Sequence, residues 1–192
     1  TTKLVADRLK DEYPERKIFV IDSLCASLGQ GLFIYYCINM KKEGKTITEI
    51  ATWAEKNKLH VCHNFTVDDL NHLYRGGRVS KVSAVMGTLL GIKPVLHVDN
   101  EGKLVPLAKV RGRRQSLDAL VDLMEKKIQN YNFDNKIFFI SHGDSLEDAQ
   151  YVQEQVTKRF KIKDCLISPV GPVIGTHSGP GTIALFFIGD ER

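Results

Sequence analysis

Four glycines and two prolines crowd the stretch Val170-Gly-Pro-Val-Ile-Gly-Thr-His-Ser-Gly-Pro-Gly-Thr182, and a single histidine stands among them. Gly171, Gly175, Gly179 and Gly181 admit backbone conformations closed to other residues, while Pro172 and Pro180 fix φ, so the spacing predicts a tightly specified turn that presents His177. Such a loop can bring several N–H groups, the Thr176 and Ser178 hydroxyls and one imidazole to bear on a small anion. A sharp structural turn between two strands accounts for the same residues, so the loop alone does not decide.

A second cluster, Asp69-Leu-Asn-His-Leu-Tyr-Arg-Gly-Gly-Arg-Val-Ser80, runs a short amphipathic helix into two glycines flanked by Arg75 and Arg78. Guanidinium forks grip a carboxylate or phosphate through paired hydrogen bonds, and adjacent glycines let backbone and ligand approach closely. Arginine near a helix C-terminus equally offsets the helix dipole and bonds the last carbonyls. Arg111, Arg113 and Arg114 form a basic cluster that suits either a solvated helix start or the docking of an acidic partner. His142-Gly-Asp144 stands where a strand turns into a helix, where α/β sites gather, yet a capped turn explains it as well. His60, His63, His72 and His97 lack metal-ligand spacing and read as ordinary surface or strand histidines, so no metal is expected.

Composition limits the classes of function. With 192 residues, 43% hydrophobic and 26% charged, the chain can bury a real core as one large domain or one and a half. No run of about 18 apolar residues occurs, so no helical membrane span is expected, and nothing at the start reads as a signal peptide. Cys25, Cys37, Cys62 and Cys165 show no paired spacing and sit in apolar contexts, the pattern of free thiols in a cytoplasmic protein. A net charge of +4 is too diffuse to argue for nucleic acid, and the basic run Lys109–Arg114 has no interleaved aromatics. No Walker-type loop occurs, so ATP binding by the chain itself is not expected.

The elements that must position these residues alternate between helix and strand. Leu4, Val5, Leu9 and Tyr13 mark an opening helix that stops near Pro14, and Lys17–Ile21 reads as a strand ending at Asp22-Ser23. Helices are expected over Leu28–Met40, from a capping box at Thr46-x-x-Glu49, from Thr66-x-x-Asp69, and over Val79–Leu90, whose apolar residues suit either plain core or a tunnel lining. His60–Phe65 reads as a strand, and Pro94–Val98 with Leu104–Arg111 as a hairpin. Ser116 is expected to cap one helix and Ser145-x-x-Asp148 another, with strands at Lys136–Ser141, Asp164–Ser168 and Thr182–Gly189. A hairpin among helix-separated strands implies an α/β fold with a mixed β-sheet covered by helices.

Four separated signatures, taken together, resemble the DegV family of bacterial fatty-acid-binding proteins. They are Ile21-Asp-Ser23 with Gly29-Gln-Gly31, the Asp69–Ser80 cluster, Gly91-Ile-Lys-Pro94 with its hairpin and Arg111-Gly112, and Ile174–Thr182. The similarity covers essentially the whole chain in order. It implies a two-domain architecture in which residues 1–25 are the tail end of an α/β N-terminal domain and residues 26–192 the mixed-sheet second domain. The family's first portion, with its head-group threonine and Ser-Gly-Thr-Tyr motif, would precede Thr1.

The resemblance further implies a long-chain fatty acid as ligand, no other cofactor, and a carrier rather than an enzyme. It assigns the head group to His177 and one of Arg75 and Arg78, and makes Arg111 a contact for a partner, an ATP-dependent fatty acid kinase subunit that would phosphorylate the bound carboxylate. Physical chemistry agrees with such a site. Burying a dozen methylenes at roughly 0.8 kcal/mol each yields on the order of 10 kcal/mol before association costs, while desolvating the carboxylate demands charge-assisted donors. The alternative is an enzyme acting on a small phosphorylated or carbonyl substrate, as in the related dihydroxyacetone kinases, where a histidine binds substrate covalently. That reading requires a compact polar pocket.

Overall fold

The structure, a computed structural model, describes residues 1–79, 91–129 and 131–192. Six strands form one sheet: β1 (Val61–Thr66), β2 (Ile92–Val98), β3 (Leu104–Arg111), β4 (Ile137–His142), β5 (Asp164–Pro169) and β6 (Ile183–Ile188), in the order β3-β2-β1-β6-β4-β5. Only β4 and β5 run parallel; every other neighbouring pair is antiparallel. The sheet is therefore mixed, as the hairpin among helix-linked strands implies.

Seven α-helices are described: α1 (Thr2–Glu12), α2 (Ser27–Lys42), α3 (Ile47–Asn57), α4 (Leu70–Arg75), α5 (Arg113–Gln129), α6 (Leu146–Phe160) and α7 (Pro172–Ser178). Helices cover both faces of the sheet. One core gathers Leu32, Phe33, Phe65, Leu73, Phe139 and Phe186 beneath α2 and α4. The other gathers Leu117, Val121, Met124, Phe138, Val152 and Phe187 beneath α5 and α6. Central β6 is buried at every position, which is why its sequence, Ile-Ala-Leu-Phe-Phe-Ile, is a continuous apolar run and not an alternation. Each large side chain so buried stabilises the fold by roughly 1.5–3 kcal/mol.

Strand register aligns side chains from three strands on one face. Phe65 pairs with Ala184 and Ala184 with Ser141, while His63 pairs with Phe186 and Phe186 with Phe139. Because successive side chains alternate across a sheet, these six form two adjacent rows on the face beneath α2 and α4.

Some local expectations hold. The Thr46 capping box forms in full, with Glu49 N–H donating to Thr46 Oγ1 at 3.3 Å and Thr46 N–H donating to Glu49 Oε2 at 2.8 Å. Others need correction. The helix expected from Thr66 opens later: Asp69 is the N-cap of α4 and accepts the Asn71 N–H at 2.8 Å, while Thr66 ends β1 and its hydroxyl donates to Pro94 O at 2.7 Å. Lys17–Ile21 forms no strand, since apolar β-formers pair only where an edge is offered; Ile21 packs against the first core while Phe19 and Val20 stay exposed. Ser116 does not cap a helix. The helix begins at Arg113, after Gly112 at φ 99°, and the buried Ser116 hydroxyl donates back to Arg113 O at 2.7 Å. The helix expected over Val79–Leu90 lies, beyond Val79, outside the described residues.

Candidate functional site

The glycine- and proline-rich stretch folds as a short helix rather than an open turn. Gly171 is its N-cap and Pro172 occupies the first helical position, where a missing N–H costs nothing. Gly179 ends it at φ 78°, a left-handed conformation that favours glycine, and its N–H donates to Gly175 O at 2.8 Å. His177 consequently sits on the last turn of α7, which packs against α4.

What joins the two sequence clusters is Gly76. A Cβ placed there would lie 2.1 Å from His177 Nδ1, so the imidazole rests directly on this residue's Cα. Gly76 has φ −76°, which any residue adopts; close approach is what requires glycine. Its carbonyl accepts a hydrogen bond from Arg78 Nη1 at 3.1 Å. His177 and Arg78 thus meet around Gly76, and both line one cavity of about 340 Å³.

The cavity wall is largely apolar, built from Phe65, Leu73, Val98, Leu104, Ile174 and Phe186. Its polar atoms are few. Thr182 Oγ1 donates to Gly179 O at 2.8 Å, and the Ser27 and Ser141 hydroxyls are 3.0 Å apart. Among the described residues, His177 Nδ1 and Ser178 Oγ are buried with no hydrogen-bond partner. Unpaired polar atoms of this kind cost about 1–3 kcal/mol each, a cost that a ligand able to pair with them removes. Apolar wall, unpaired donors and one guanidinium together suit an amphiphile with an anionic head.

Other expected residues fall elsewhere. Arg75 is the exposed last residue of α4 and does not line the cavity. Thr176 is exposed, and its hydroxyl donates to Pro172 O at 2.7 Å. Ser178 does line the cavity, at 5% exposure. Arg111 is exposed at the end of β3, whereas Arg113 pairs with Asp148 at 2.7 Å and Arg114 lies 3.1 Å above the Tyr151 ring. His142 serves its turn, Nδ1 accepting the Ser145 N–H at 3.1 Å.

The loop after α7 is held from below. Gly181 N–H donates to Gly143 O at 2.7 Å, and Gly143 N–H donates to Thr182 O at 2.8 Å. Asp68 packs against Gly181 while pairing with Lys93 at 2.8 Å.

Among the polar residues that line the cavity, sequence reasoning missed His63, Ser27, Ser141 and Lys103. Strand periodicity places Ser141 on the face shared with Phe139, but only the pairing of β1, β6 and β4 brings it beneath the start of α2. Among the described residues no group of three His, Cys, Asp or Glu side chains could hold a metal ion, and no helix is long and apolar enough to cross a membrane.

Comparison with known proteins bears on this arrangement. A DegV domain-containing protein of Clostridium perfringens is 46% identical over 189 residues, which is 98% of this chain and 64% of the relative's length. A fatty acid binding DegV family protein of Streptococcus agalactiae, known from its crystal structure, is 30% identical with a TM-score of 0.80, over 95% of this chain and 64% of that one. The fatty acid kinase B3 protein of Streptococcus pneumoniae, solved with linoleic acid, is 22% identical and shares the fold at a TM-score of 0.87, over 98% of this chain and 66% of that one. The chain thus spans slightly less than two thirds of the length of the first two of these relatives. A family model described as "Uncharacterised protein, DegV family" matches residues 2–190, and with that span matched this chain belongs to the DegV family.

Proposed function

We infer that the chain binds a long-chain fatty acid, with the acyl chain in the apolar cavity and the carboxylate at its polar rim. His177, Arg78 and Ser178 hold the head group; Arg75 and Thr176, though neighbours in sequence, do not. The observation that carries this reading is the meeting of His177 and Arg78 around Gly76 at one apolar cavity. Similarity to a fatty acid binding DegV protein at 30% identity supports the same ligand. A cavity of about 340 Å³ falls in the range of roughly 300–1,000 Å³ typical of small-molecule sites. An aromatic and aliphatic wall does not suit the compact polar pocket that a small phosphorylated substrate requires.

The family resemblance extends the reading to a partner. The chain acts as a carrier that presents the carboxylate to an ATP-dependent kinase subunit, whose metal and nucleotide supply the phosphoryl group. Arg111 is the contact on this chain, because Arg113 and Arg114 are engaged by Asp148 and Tyr151 while Arg111 remains exposed. Extraction of the purified protein with organic solvent, followed by mass spectrometry, tests the ligand. Stoichiometric long-chain acid is expected, and its absence together with no uptake of added palmitate overturns the reading. Replacing Arg111 with glutamate is expected to slow acyl phosphate formation by the kinase without changing palmitate affinity; unchanged kinase activity removes Arg111 from the partner surface.

A further inference from the structure

His63 lies on β1 in the wall of the cavity, 2% exposed, with its ring edge-on to Phe186 at 5.2 Å between centroids. Both ring nitrogens are engaged. Nδ1 is 2.8 Å from Val61 O, which can only accept, so Nδ1 carries the proton. Nε2 is then the acceptor, and it takes the Ala26 N–H at 3.3 Å. Ala26 is the N-cap residue of α2, and no side chain of its own turn caps that helix. A Cβ at Gly29 would fall 2.1 Å from Nε2, so the first turn of α2 rests directly on the imidazole. Ala26 and Ser27 are themselves cavity residues.

From this geometry we propose that His63 is a positioning residue, which sets the place of the α2 N-terminal turn and thereby the width of the cavity and the acyl shapes it admits. The inference rests on the fatty-acid reading of the cavity and adds a determinant of selectivity remote from the head group. Burial, then the positive charge of Arg192, keeps the ring neutral by drawing its pKa down to about 3, so one nitrogen donates while the other accepts. A leucine fills the same space but offers no acceptor. The Ala26 N–H then loses its partner and the turn shifts. Glutamine places an amide oxygen near the position of Nε2 and retains the bond.

The experiment measures the affinities of delipidated wild type, His63→Leu and His63→Gln for palmitate and oleate by calorimetry, with circular dichroism as the check on folding. His63→Leu is expected to change the palmitate-to-oleate preference by about fivefold or more, the equivalent of one lost neutral hydrogen bond. His63→Gln is expected to stay within about twofold of wild type by the same measure. Equal preference in all three proteins, or equal change in both variants, overturns the proposal. Wild type binding neither acid overturns the fatty-acid reading itself, a result seen before any variant is made. Should His63→Leu fail to fold, nitrogen NMR of histidine-labelled wild type decides: the Nδ1–H tautomer with resonances that move on adding palmitate supports the proposal, and resonances unmoved by the acid contradict it.

Discussion

Replacing Gly76 with alanine displaces one imidazole and little else. The new methyl would lie 2.1 Å from His177 Nδ1, 3.0 Å from Cγ and 3.1 Å from Cε1. Ordinary contact begins near 3.4 Å, so the ring must retreat by about 1.3 Å or swing away from the cavity. Nothing in the backbone opposes the substitution, since Gly76 sits at φ −76°, ψ −3°. Alanine at a compatible position stabilises by about 0.4–1 kcal/mol through the unfolded chain, partly offsetting the steric cost. The ligand loses more. A hydrogen bond to a charged group contributes about 1.5–3 kcal/mol, and each 1.4 kcal/mol is roughly tenfold in affinity, so binding of palmitate should weaken by roughly 10- to 100-fold. Calorimetry with palmitate beside a thermal melt reads both quantities. Wild-type affinity in Gly76→Ala, or affinity lost only in step with the fold, refutes the placement of His177 at the head group.

Three further outcomes are expected. Arg78→Ala should weaken palmitate binding by roughly tenfold or more while Arg75→Ala leaves it within about twofold, as measured by fluorescence displacement, because only Arg78 lines the cavity. The folded protein holds His63 at about 3 against an ordinary 6.5, so the unfolded chain takes up the proton first and stability falls as pH drops through that window; urea titration at about pH 7 and pH 5 should show a loss of about 2 kcal/mol that His63→Gln lacks. Arg192 is 4% exposed and donates to Leu24 O, Ser23 O and Lys58 O at 2.7, 2.7 and 2.9 Å; Arg192→Ala should cost about 3 kcal/mol and lower the melting temperature by roughly 6–12 °C in calorimetry.

Legibility in the sequence tracked the range of the interactions. The mixed sheet was readable because β6 and the β2–β3 hairpin declare themselves by apolar run and turn chemistry, both local properties. The capping box at Thr46 was equally local and equally readable, whereas the Thr66 start was misplaced because Thr66 is taken up by β1 and its bond to Pro94, and Asp69 caps α4 instead. Ile18–Ile21 carries the same β-forming chemistry yet makes no ladder, because a strand exists only with a partner. In the Val170–Thr182 stretch, glycine content argued for a turn, but Pro172 at the first position and Gly179 at the end delimit a helix equally well, and contact with α4 favours the helix. Arg75 and Arg78 were indistinguishable by composition; only Arg78 folds back over the Gly76 carbonyl and lines the cavity. His63 carried no local signal, for its bonds to Val61 and Ala26 depend on α2 crossing β1.

The most direct test is carbon NMR of palmitate labelled at its carboxyl and bound to the delipidated protein. A single bound carboxylate resonance, distinct from that of the free acid and displaced in both His177→Gln and Arg78→Ala but not in Arg75→Ala, is the expected result. A resonance that matches the free acid, or that neither His177 nor Arg78 substitution moves, would mean that the anionic head lies somewhere other than the rim around Gly76.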